Sequence, residues 1–155
     1  MKILFVCSAN ICRSALAEVI LRKKLQEKGL TDIVVNSAGV DNYAGEPRDP
    51  KMVSLARQAG YGMGGVAQYI TRQMADTADL IICMEYHHVV ELQKWYLPYS
   101  KWSCIHRLNE ICFGENTDLI DPSCGTEQMY MSVLERIEDG CSKLVDYLLK
   151  EKLLC

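Results

Sequence analysis

A chain of 155 residues, 49% of them hydrophobic and 24% charged, can bury one sizeable core, which predicts a single domain over 1–155. The net charge of −3 supplies no basic footprint for nucleic acid. No apolar run approaches membrane-spanning length, and Ile3 to Val6 is too short for a signal-peptide core, so a cytoplasmic protein away from membranes is expected.

The first element is KILFVC, a continuous apolar run that reads as a buried strand. CSANICRS follows it. From Ser14 to Lys28 a helix is predicted, with Leu16, Ala17, Ile20, Leu21 and Leu25 on one face and a stop at Gly29. DIVVNSA, from Asp32, reads as the second strand. Asp49-Pro50 opens another helix, with Asp as N-cap and Pro at the first helical position, ending near Gly60. ADLIICM, from Ala78, is the third strand, and Glu85 to Tyr96 the next helix, closed before Pro98.

Adjacent His87 and His88 point about 100° apart on such a helix, and no ligand cluster accompanies them in sequence. They are read as surface or partly buried residues, with no metal expected. Trp95 and Trp102 flank the proline-containing connection and are read as packing residues. WSCIHRL, from Trp102, is the fourth strand. The last helix runs from about Thr126 to Leu149, burying Met129, Val133, Ile137, Leu144 and Leu148. Strands alternating with helices predict an α/β fold, a four-stranded parallel sheet with helices on both faces.

The eight cysteines show no CxxC spacing, and several lie inside strand-like runs, where a thiol behaves as a small hydrophobe. Cys7 and Cys12 stand apart. They lie in CSANICRS, at the carboxyl end of the first strand, where sheets of this kind bind ligands. A loop wrapped between strand and helix turns successive N–H groups inward, and the helix N-terminus adds partial positive charge. Arg13 offers a bidentate fork to two oxygens. Together these would hold a tetrahedral dianion such as phosphate, with the Cys7 thiolate beneath the phosphorus. Most of the acceleration would come from Arg13 and the amides holding the transferring phosphoryl group, with protonation of the leaving oxygen.

These residues resemble the low-molecular-weight protein tyrosine phosphatases, whose loop typically reads Val-Cys-Leu-Gly-Asn-Ile-Cys-Arg-Ser-Pro; here Val6 through Glu18 reads VCSANICRSALAE. The resemblance extends along the chain through Ser37 to Gly39, Asp49-Pro50, IICME around Cys83 and DPSCG from Asp121. It implies a flavodoxin-like domain that needs no cofactor or metal. The implied activity is hydrolysis of phosphotyrosine monoesters in protein substrates through a phosphocysteine intermediate. Inorganic phosphate and other oxyanions should occupy the loop formed by Cys7, Ser8, Ala9, Asn10, Ile11, Cys12, Arg13 and Ser14. The resemblance also implies a monomer or weak dimer.

By position, Cys7 resembles the nucleophile, Arg13 the phosphoryl-gripping residue and Ser14 the hydroxyl supporting the thiolate. Asn10 resembles the residue that holds the loop in strained conformations. Asp121, followed by Pro122, resembles the acid that protonates the leaving phenolate and then activates water. Cys12 resembles the redox partner that can protect an oxidised Cys7 as a disulfide. Ile11, Tyr43, Ser123 and Cys124 are the expected crevice residues.

Four departures stand out. Ser8-Ala9 replaces the usual Leu-Gly, and Ser123-Cys124 replaces an aromatic pair. Gly65 to Gln68 lies where eukaryotic members often carry His and Arg, and Glu85 replaces an Asp. Two other activities remain open: a protein-arginine phosphatase of the same fold, although such enzymes typically carry Thr where Ile11 stands, and a catalytically weak phosphate-binding module. Arsenate reductases share the loop, but Cys83 and Cys104 do not match their closely spaced downstream pair.

Overall fold

The computed structural model describes residues 1–154, with side-chain surroundings for 1–151. Four parallel strands, β1 (Lys2–Cys7), β2 (Val34–Gly39), β3 (Leu80–Cys83) and β4 (Ile105–Arg107), form one sheet in the order β2-β1-β3-β4. Six helices surround it: α1 (Arg13–Glu27), α2 (Pro50–Gln58), α3 (Arg72–Thr77), α4 (Tyr86–Trp95), α5 (Leu108–Phe113) and α6 (Glu127–Leu154). Among the described residues no helix is long and apolar enough to cross a membrane.

The sheet is covered on both faces, which explains why β1 reads as an unbroken apolar run rather than an alternating one. Ile3, Phe5 and Cys7 pack with Leu16 and Ile20 of α1, Met52 of α2 and Ile137 of α6. Leu4 and Val6 face the opposite way, toward Ala75 of α3 and Leu92 of α4. The chain leaves β1 for β2 on one side and returns to β3 on the other. That reversal opens a crevice at the carboxyl ends of β1 and β3, beside the loop after Cys7.

The structure departs from the sequence expectations in its short elements. The fourth strand is only Ile105–Arg107, preceded by a 3-10 turn at Tyr99–Cys104. Helices α3 and α5, of six residues each, were not anticipated. Trp95 is 61% exposed, and Trp102 sits at the surface with its ring 4.9 Å from that of Tyr99, so neither is a core residue. The seven described cysteines are free thiols; Cys155 lies outside the described residues.

Candidate active site

β1 ends at Cys7 and α1 begins at Arg13, so the five residues between them make the whole turn. Asn10 takes the sharpest bend, at φ 59, a left-handed conformation that Asn tolerates better than most residues. It is fully buried and its amide is saturated. Nδ2 donates to Ser14 Oγ at 2.9 Å and Ser37 Oγ at 2.8 Å. Oδ1 accepts from the Gln68 N–H and from Arg48, both at 2.9 Å, and the Asn10 carbonyl also accepts from Arg48. Ser37 in turn donates to Glu18 at 3.1 Å.

This arrangement fixes the direction of the bonds around the sulfur. Because Ser14 Oγ accepts from Asn10, its own hydrogen is free for Cys7 Sγ, 2.8 Å away. The Asn10 N–H donates to the same sulfur at 3.3 Å. Two hydrogen-bond donors are thus aimed at one sulfur. α1 begins immediately behind the loop, with no side-chain cap and no acidic residue in its first turn, so nothing in its own first turn offsets the N-terminal dipole at the cradle.

Arg13 is buried, and its guanidinium is oriented from behind. It donates to the Leu119 carbonyl at 2.7 Å and to Glu85 Oε2 at 2.8 Å. Leu119 is anchored on the end of β3, its N–H donating to the Met84 carbonyl at 2.9 Å. The same segment carries Asp121, whose carboxylate is 3.8 Å from Arg13 and 46% exposed. Burial pushes the Asp121 carboxyl up, but hydrogen bonds from Ser123 and the charge of Arg13 outweigh it and hold it below the usual range. Burial pushes the Cys12 thiol up, so it is a neutral thiol near physiological pH.

Between these groups lies a cavity of about 40 Å³ lined by Cys7, Ser8, Ala9, Ile11, Cys12, Arg13, Asp121 and Ser123. That is room for roughly three water-sized groups, the scale of a tetrahedral oxyanion. Ile11 and Ser123 line it, whereas Tyr43 and Cys124 are exposed outside its lining. Cys124 itself sits at φ 62. A larger cavity of about 510 Å³ lies between α2 and α6, away from the sulfur.

His87 is exposed, in line with the sequence expectation, but His88 departs from it. His88 is fully buried, and Glu85, His87 and His88 place ligand atoms within 4.8 Å of one another. The cluster is nevertheless poorly suited to a metal. His88 Nδ1 accepts the Glu85 N–H at 3.0 Å and its Nε2 is engaged with Ser8 Oγ at 2.9 Å, while Glu85 is committed to Arg13. Sequence reading also left Ser37, Glu18, Arg48 and Gln68 without a role at this loop. The signals for them were the SAG segment, the Glu18 that ends the loop motif and the Gly65 to Gln68 departure; Arg48 had none.

The sequence profile described as low molecular weight phosphotyrosine protein phosphatase matches residues 2–153. A low molecular weight protein-tyrosine-phosphatase of Bacillus subtilis, YfkJ, is 33% identical, with 98% of each chain covered. A protein-arginine-phosphatase of the same organism is 26% identical over 98% of this chain and 99% of its own. Among solved structures, a protein tyrosine phosphatase from Entamoeba histolytica superposes with a TM-score of 0.89 at 29% identity, covering 98% of this chain and 99% of that one.

Proposed function

Because the chain belongs to the low molecular weight phosphotyrosine protein phosphatase family, we propose that it hydrolyses phosphotyrosine in protein substrates, with Cys7, Arg13 and Asp121 as its chemical groups. The observation that carries this reading is the oxyanion-sized cavity with the Cys7 sulfur, Arg13 and Asp121 all in its wall.

In the first step the Cys7 thiolate attacks phosphorus, forming the S–P bond as the P–O bond to the tyrosyl oxygen breaks. Arg13 and the loop amides hold the equatorial oxygens. Asp121 gives its proton to the leaving oxygen. Because its carboxyl is held below the usual range in the free enzyme, this proton must be acquired with substrate: the arriving phosphate dianion favours the protonated carboxyl. In the second step Asp121, now a carboxylate, takes a proton from water. The oxygen of that water forms the new P–O bond, the S–P bond breaks, and phosphate leaves with the thiolate restored. Cys12 acts in protection: after peroxide oxidises Cys7 to the sulfenic acid, the Cys12 sulfur attacks the Cys7 sulfur, the S–O bond breaks with loss of water, and a disulfide forms.

Ile11 on the lip supports an aromatic ester, since a branched apolar side chain packs against a ring. A protein-arginine phosphatase is the second reading, favoured by the full-length similarity to such an enzyme and by the polar Ser8 and Ser123 in the wall. Turnover of phosphotyrosine and phosphoarginine peptides, measured side by side, decides between them. Hydrolysis of neither would leave only a phosphate-binding module.

A further inference from the structure

We propose that the Ser8 hydroxyl is an additional hydrogen-bond donor to the bound phosphoryl group, with His88 as the positioning residue that aims it. This rests on reading the cradle as a phosphate site. The Glu85 backbone N–H can only donate, so His88 Nδ1, 3.0 Å away, presents a lone pair to it. The ring lies wholly inside the protein. Burial, with the nearby charges of His87 and Arg13, keeps it neutral down to about pH 3, against the opposing pull of Asp118 and Asp121. A neutral imidazole with its lone pair on Nδ1 carries its proton on Nε2.

That Nε2–H therefore donates to Ser8 Oγ at 2.9 Å. With one lone pair taken by the ring, the Ser8 hydrogen must point elsewhere, and no acceptor for it is found among the described residues. Ser8 lines the cavity together with Cys7, Arg13 and Asp121, so an anion placed there is the natural acceptor. The backbone at Ser8 is held as well: its carbonyl accepts the Asp41 N–H at 2.9 Å, so the side chain departs from a fixed base. The usual leucine at this loop position has no donor to offer. The pair Ser8 and His88 thus gives this chain one more ligand for an oxyanion than the family pattern supplies.

The test is the affinity for inorganic phosphate, read as competitive inhibition of aryl phosphate hydrolysis and by calorimetry, in Ser8→Ala, His88→Gln, His88→Leu and the Ser8→Ala/His88→Leu double variant. Ser8→Ala should weaken phosphate binding by about tenfold or more, the scale of a hydrogen bond to a charged group. His88→Gln should stay close to wild type, because a glutamine there can accept the Glu85 N–H as in a capping box and still donate to Ser8. His88→Leu should weaken phosphate in the native background and have little further effect once Ser8 is alanine. Phosphate binding by Ser8→Ala within twofold of wild type would overturn the proposal. So would an undiminished loss from His88→Leu in the Ser8→Ala background, which marks a merely structural role. If His88→Leu does not fold, Ser8→Ala and His88→Gln decide. A wild-type protein that neither binds phosphate nor turns over aryl phosphate would instead overturn the phosphatase reading, and this proposal with it.

Discussion

Asn10 combines a left-handed backbone with a side chain whose polar atoms all have partners inside the protein. Asn10→Ala would leave the buried Ser14 and Ser37 hydroxyls and the Gln68 N–H short of a partner. A loss of roughly 2–4 kcal/mol is expected by denaturant titration, because unmet buried polar groups cost about 1–3 kcal/mol each and relaxation recovers part. Turnover should fall further than substrate binding, since Ser14 would no longer direct its hydrogen at Cys7. Asp121→Ala should slow phosphoenzyme formation most for poor leaving groups such as tyrosine and least for activated phenolates. Single-turnover rates across a leaving-group series check this, and an equal loss throughout would remove Asp121 from the acid role.

His88 makes a separate prediction about acid stability. Folded, the ring stays neutral to about pH 3, whereas an unfolded histidine protonates near 6.5. The unfolded chain therefore binds the extra proton between these values. Its contribution is fully present above pH 6.5 and declines by about 1.4 kcal/mol per pH unit as the pH falls toward 3. His88→Gln removes the titration. Between pH 6.5 and 4.5 its stability should fall by roughly 2–3 kcal/mol less than that of wild type in urea unfolding. Parallel losses would mean that His88 is not held neutral.

Among the elements, β2 shows how closely the scaffold supports the loop. A Cβ on Gly39, at its carboxyl end, would lie 2.6 Å from the Ser8 carbonyl oxygen and 2.8 Å from the Ala9 carbonyl carbon. Both contacts are backbone and cannot swing aside. Gly39→Ala should cost about 1–3 kcal/mol and shift the loop, so that kcat/KM falls while helix and strand content are kept. Unchanged activity with a normal melting temperature would show that the loop tolerates the displacement.

The longer elements were legible because they repeat their pattern: α1 shows several helical turns of Leu, Ile and Ala, and β1 is apolar throughout. Helices α3 and α5, six residues each, and β4, three residues, are too short for periodicity to separate them from loops. The tryptophans were misplaced for a different reason: hydrophobic character alone does not tell a core residue from a surface aromatic cluster.

At the level of the whole molecule, the site divides into what is local in sequence and what topology brings from afar. Cys7 to Ser14 is one continuous segment, and its residue types and setting were readable. Glu85 reaches Arg13 across 72 residues and His88 reaches Ser8 across 80, because β3 lies next to β1 in the sheet. No local pattern announces such pairings. The same assembly separates two neighbours that the sequence treats alike: Ser123 lines the cavity and Cys124 does not. Ser123→Tyr should therefore lower KM for small aryl phosphates about three- to tenfold with kcat nearly unchanged, the scale of one aromatic contact. Cys124→Tyr should leave KM where it was. Equal effects from both substitutions would contradict this placement of the crevice wall.

In the proposed reaction the sulfur at the base of the cavity carries the phosphoryl group during turnover. Its most direct measurement is rapid acid quenching during aryl phosphate hydrolysis, followed by mass spectrometric mapping of the phosphorylated peptide. One phosphoryl group is expected on Cys7, accumulating further in Asp121→Ala when an activated phenolate leaves. Cys7→Ser should give no cysteine adduct and no appreciable turnover while still binding phosphate. Sustained turnover by Cys7→Ser, or a phosphoryl group trapped on another residue and none on Cys7, would contradict it.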